Sequence, residues 1–196
     1  MISSTGKEGE ALLKLFKDAQ TPHNAHTLSK LLGVSHVGAQ KMLKRLLEEG
    51  ILTSERIGRA IIYKPNIKEG HIRALVEYLL VDEANRNRRW KEEFKQICLR
   101  SAVCILFGSI LVNEEKANDI DLIIIPKGKE ASGVRLMVES KQRLLPKKIH
   151  AIYFTKKDLR KNIKEGNAAV LDAVKNGIVL TGQREFVEML KNVASS

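Results

Sequence analysis
The chain has 196 residues, with 34 Lys and Arg against 23 Asp and Glu and a formal net charge of +11 at pH 7, a balance that favours a polyanionic partner and says nothing about fold. Its two cysteines, Cys98 and Cys104, form no CxxC and argue against a zinc site or a disulfide framework. No run of about eighteen apolar residues argues for a membrane span, and no basic start followed by an apolar core argues for secretion, so the expected setting is cytoplasmic.

Residues 8–19 carry Leu12, Leu13, Leu15, Phe16 and Ala19 at helical spacing, and Thr21-Pro22-His23-Asn24 breaks that helix. Thr27 is placed to cap a short helix with Leu28, Leu31 and Leu32 inward, ended by Gly33. Ser35 is placed to cap a third helix with Ala39, Leu43 and Leu46 on its inner face, stopped at Gly50. Two strands follow, Ile51–Arg56 and Ala60–Lys64, joined through Ile57-Gly58-Arg59 as a hairpin with glycine at its tip.

Helix, short helix, turn, helix, hairpin is the order of a winged helix-turn-helix. The runs from Thr27 to Ser35 and from Leu43 to Leu52 resemble winged-helix transcription regulators of bacteria and archaea. The resemblance implies that the third helix enters the major groove of double-stranded DNA. Its outer face would present His36, Val37, Gln40, Lys41 and Lys44. Gln40 could read a base edge, and Lys41 and Lys44 would meet phosphates. Arg56 and Arg59 flank the tip of the wing and would reach an adjacent groove or its phosphates. Regulators of this kind usually act as dimers on two half-sites, so a homodimer is expected.

A helix through Ile72, Leu75, Val76, Leu79 and Leu80 and a second from about Asp82 to Leu99 form a connector. Between them the basic run Arg86–Lys91 reads as a solvated face with Trp90 packed inward.

Val103–Phe107 is a short apolar, β-branched run that reads as a buried strand and ends in Gly108-Ser109. Small residues at a strand-to-helix turn let backbone N–H groups approach a phosphate. After a polar segment, Asp119 and Asp121 open a second apolar strand, Asp119–Ile125. Strand side chains alternate, so both carboxylates share a face, which suits Mg²⁺. Pro126–Lys129 is a turn, residues 130–144 a helix ended by Pro146, and Ile149–Phe154 a third strand. Thr155 can cap the next helix with Asp158 in its first turn. A helix over 168–176, a strand over 177–182 and a helix over 183–192 complete the chain.

Gly108-Ser109 followed by Asp119-Ile120-Asp121 resembles the minimal branch of the DNA polymerase beta-like nucleotidyltransferase superfamily. That resemblance implies nucleotide phosphates held at Gly108 and Ser109, and Mg²⁺ held by Asp119 and Asp121, the pair that would carry catalysis. The stretch from Asn176 to Gly182 resembles the end of such domains, with Thr181 where an aromatic is common. A third carboxylate belongs on the third strand, and there the chain has His150. Asn118 stands where a Ser is common.

The expected architecture is α+β: a winged helix-turn-helix over residues 1–66, a helical connector over 67–100 and a mixed-sheet nucleotidyltransferase-like domain over 101–196. The expected function is DNA-binding regulation by a protein whose second domain binds Mg-nucleotide without the full catalytic set. The alternative is an active nucleotidyltransferase that moves a nucleoside monophosphate from an NTP to a hydroxyl, with the winged helix as its targeting device.

Overall fold
Three helices open the chain in the computed structural model, which describes residues 3–194 and their side chains as far as Lys191. They are α1 (Lys7–Lys17), α2 (Ala25–Leu32) and α3 (His36–Glu48). The cap of α2 differs from the sequence expectation. Asn24, not Thr27, is the first residue of the cap: its Oδ1 accepts from the backbone N–H groups of His26 and Thr27 at 2.9 Å each. The Thr27 hydroxyl accepts from the Asn24 N–H at 2.9 Å, so the two residues satisfy each other's backbone. The cap therefore lies three residues before Thr27, and the helix starts at Ala25. Ser35 caps α3 as expected, accepting from the Gly38 N–H at 3.0 Å.

Strands β1 (Leu52–Ile57) and β2 (Ala60–Pro65) pair antiparallel through the two-residue turn Gly58-Arg59. Gly58 has φ +59°, the positive value that such a tight hairpin demands at its first central residue. Leu12, Leu15 and Phe16 of α1, Leu28 and Leu32 of α2, Ala39, Leu43 and Leu46 of α3, and Leu52 and Ile62 of the hairpin are buried. Burial of each large side chain stabilises this small unit by roughly 1.5–3 kcal/mol.

The described chain divides into two compact units, Met1–Leu79 and Leu80–Ser196. The division falls inside α4 (Gly70–Arg86), a continuous helix across the expected connector. Beyond it the expected second helix is two short ones, α5 (Arg88–Glu93) and α6 (Lys95–Leu99). The chain leaves α-helical geometry at Asn87, whose side chain donates back to the Glu83 carbonyl, and at Phe94. Trp90 is buried and stacks on Phe94, with ring centroids 6.2 Å apart.

In the second unit β3 (Ser101–Phe107), β4 (Asp119–Pro126), β5 (Lys148–Tyr153) and β6 (Ile178–Thr181) form one mixed sheet in the order β5-β4-β3-β6. β3 pairs antiparallel with both β4 and β6, and β4 pairs parallel with β5. One face carries Cys104, Leu106, Ile120, Leu122, Ile124, Ile149 and Leu180 and packs on α5, α6 and α7 (Ala131–Gln142). The other face carries Val103, Ile105, Ile123 and Val179, all buried. On that side α9 (Ala168–Asn176) and α10 (Gln183–Ala194) lie against β3, and α8 (Lys156–Lys164) packs on both of them. Helices on both faces of a sheet give three layers, and the class is α+β. Gly182 ends β6 at φ +79°, where a Cβ would overlap the Ala102 carbonyl, so only glycine allows that close approach.

Candidate metal and nucleic-acid sites
Parallel pairing of β4 with β5 sets Asp121 opposite His150. Asp119, Asp121 and His150 then share one face at the start of the two strands, while Ile120 and Ile149 point into the opposite core. His150 Nδ1 lies 3.2 Å from Asp119 Oδ2 and 3.6 Å from Asp121 Oδ1. One donor atom from each of the three falls within 4.8 Å of the others. All three remain open to solvent, the Asp121 side chain least at 24% exposed. No further carboxylate belongs to that cluster among the described residues.

Local packing fixes this arrangement. Gly108 has φ 85° and ψ −164°, a combination almost closed to residues with a side chain. A Cβ there would overlap the Asp121 carboxylate, so the glycine backbone is the wall on which that carboxylate rests. The turn leads into one 3-10 turn, Ser109–Leu111. Ser109 is exposed, and its carbonyl accepts from the N–H groups of Val112 and Asn113 at 3.0 Å each.

The entry to β5 is tied down by two residues that sequence reasoning missed. The Gln142 side chain accepts from the Ile149 N–H at 2.7 Å and donates to the Lys147 carbonyl at 3.2 Å. Lys147 Nζ in turn donates to the Ala117 carbonyl at the entry to β4. Both residues lie in or beside a loop whose role shows only once the strands are paired.

Burial raises the Asp121 carboxyl above its usual pKa, the nearby Asp119 charge raises it further, and His150 works in the opposite direction. The charged form is thus held at a cost, as is common for titratable groups at functional sites.

The first unit carries the other predicted residues. His36, Gln40, Lys41 and Lys44 are exposed on α3, opposite the buried Ala39, Leu43 and Leu46. The His36 ring meets His26 edge-on at 6.0 Å. Lys44 lies 3.8 Å from Glu48, an exposed pair worth little that leaves the lysine available. Arg56 on β1 and Arg59 in the hairpin turn are exposed. Trp90, by contrast, is buried under Phe94 with the Arg89 guanidinium 5.0 Å over its ring, so it offers no face to a base.

Comparison with family models, with curated proteins and with solved structures finds no match to this chain.

The raised Asp121 pKa has a stability consequence. The folded chain binds that proton more tightly than the unfolded chain, so the charge present at neutral pH opposes folding, and the cost vanishes as pH falls through the folded pKa. In metal-free buffer Asp121→Asn should leave the thermal midpoint unchanged or raise it by roughly 1–3 °C at pH 7, with a smaller gain near pH 4. A drop of several degrees at pH 7 would mean that the carboxylate is there to hold β4 to β5.

Proposed function
We propose that the chain is a DNA-binding protein of the transcription-regulator type whose second unit holds one divalent cation and, with it, the phosphates of a nucleotide. The observation that supports the second half most directly is the strand register that sets His150 against Asp119 and Asp121. Donors about 2.1 Å from a common ion sit roughly 3.0–3.4 Å apart, and small side-chain rotations bring the three present donors to that spacing. Two carboxylate oxygens suit Mg²⁺, and the imidazole suits Mn²⁺ and later first-row ions better. A bound cation would neutralise phosphate charge. Asp119 and Asp121 would hold it, His150 would limit its freedom, and the Ser109 hydroxyl stands exposed beside the Gly108 turn for a further polar contact.

Two-metal transfer needs more anionic charge than this. A neutral imidazole where a carboxylate is expected leaves a second ion poorly compensated, so binding without efficient turnover is the favoured outcome. The presence of Gly108, Ser109, Asp119 and Asp121 is the ground for a second reading, an active nucleotidyltransferase acting on a hydroxyl.

In the first unit the order of α1, α2, α3 and the β1–β2 hairpin supports a winged helix-turn-helix. The exposed His36, Gln40, Lys41 and Lys44 of α3 would lie in the major groove, with Arg56 and Arg59 at the wing. On a second copy of the chain the same face would take the other half-site of the duplex.

Binding of the full chain to duplex DNA should fall steeply with salt. Lys41→Ala with Lys44→Ala should weaken binding to every sequence and lower the salt slope by about 0.9 per lost phosphate contact. Gln40→Ala should change sequence preference instead. A wild type that binds no duplex at low salt would overturn the regulator reading.

Calorimetry of the full chain with ATP and either Mn²⁺ or Mg²⁺ should give roughly micromolar to millimolar binding. Its metal-dependent part should be lost in Asp121→Asn. Rapid transfer from labelled NTP that survives His150→Ala would instead establish the enzyme reading.

A further inference from the structure
The helix α8 reads Lys156-Lys157-Asp158-Leu159-Arg160-Lys161-Asn162-Ile163-Lys164. Leu159 and Ile163 are buried and fix which way the helix faces. Lys157, Arg160, Lys161 and Lys164 then recur at i, i+3, i+4 and i+7, the spacing of a single helical stripe. Together with Glu165 they line a groove of about 460 Å³.

The acids nearby do little to neutralise the stripe. Asp158 is engaged at the start of its own helix, accepting from the Thr155 N–H at 2.9 Å and from the Thr155 hydroxyl at 2.7 Å. Glu165 lies 3.8 Å from Lys161, and both side chains are more than half exposed. An exposed pair at that spacing is weak and leaves the lysine free to exchange partners. Arg160 is half-buried, and its Nε is buried with no hydrogen-bond partner among the described residues.

The stripe runs over seven residue steps, or about 10 Å along the helix, enough to meet two or three phosphates of one strand. No aromatic side chain lines the groove. Single strands are held largely by base stacking on aromatic rings, so a bare row of cations suits the backbone of a duplex. We infer that the outer face of α8 is a second contact for duplex DNA, a phosphate-backbone surface on the second unit that acts in addition to α3. It contributes affinity and salt dependence, not sequence preference.

The test uses the full chain, a labelled duplex of arbitrary sequence and several salt concentrations. Lys157→Ala, Lys161→Ala and Lys164→Ala combined should weaken binding about tenfold or more at low salt and flatten the salt slope by about two units. These side chains lie at the surface, so the thermal midpoint should stay unchanged. A control that removes the equally exposed Lys95, Lys116 and Lys129 of the same unit should move the slope by less than about half a unit. Lys→Arg at the three α8 positions should restore the wild-type slope. Equal loss in the control would show a mere net-charge effect and overturn the inference. A larger loss for a single-stranded oligonucleotide than for the duplex would overturn it too, as would an unchanged slope. Repeating the α8 variant on the Lys41→Ala, Lys44→Ala background separates the two surfaces. An α8 effect without an α3 effect removes the α3 reading and keeps this inference, and the opposite pattern does the reverse.

Discussion
The parallel pairing of β4 with β5 is the constraint on which the candidate metal site depends. Strand side chains have a period of two, so a slip of one residue would send His150 to the opposite face of the sheet. The native register sets His150 opposite Asp121, and it is enforced from several directions. Ile120, Leu122 and Ile149 must be buried on one face. Gln142 holds the first residues of β5 by both ends of its amide. Lys147 ties the entry of β5 to the entry of β4. Gly108 then closes the site from the β3 side, because only a residue without Cβ can lie against the Asp121 carboxylate.

The three clustered side chains sit where the core offers them little. Asp121 is partly desolvated and lies near a like charge, with His150 as the compensating neighbour. Such a site opposes folding slightly, because the charged Asp121 carboxylate is held at a cost. A divalent cation bound there would remove the like-charge cost and satisfy the oxygens. The first unit is built on another principle. Its core is a small set of fully buried Leu and Phe side chains, and its polar atoms are used for caps and turns. The outward face of α3 is thereby left with polar and cationic residues that the fold itself does not consume.

Much of the architecture was legible in the sequence, because apolar period and turn chemistry agree over most of the chain. Ser35 and Thr155 cap their helices, and Gly58 turns its hairpin, for reasons readable from residue type alone. Thr27 misled because Asn24, three residues earlier, is an equally good acceptor and wins the first cap position. The long helix expected from Asp82 to Leu99 breaks at Asn87 and Phe94, where side-chain hydrogen bonding and the stacking of Trp90 on Phe94 override the period. The division at Leu79 and Leu80 has no turn residue to mark it, since α4 runs straight through. His150 could be aligned with the Asp pair only through the resemblance to nucleotidyltransferases. Its contact distances needed the pairing partner, and the roles of Gln142 and Lys147 needed the register. The stripe on α8 was written in its i, i+3, i+4, i+7 lysines and arginine, but the groove beside it and the unpartnered Arg160 Nε are properties of the folded surface.

The central claim is that Asp119, Asp121 and His150 act together on one divalent cation. Pulsed electron paramagnetic resonance of the full chain with a single equivalent of Mn²⁺ addresses it directly, because imidazole nitrogen bound to Mn²⁺ gives a ¹⁴N modulation that carboxylates and water do not. The account predicts that modulation in the wild type, its loss in His150→Ala, and loss of the bound-ion spectrum in Asp121→Asn. Bound Mn²⁺ without nitrogen modulation, or with modulation that persists in His150→Ala, would contradict it.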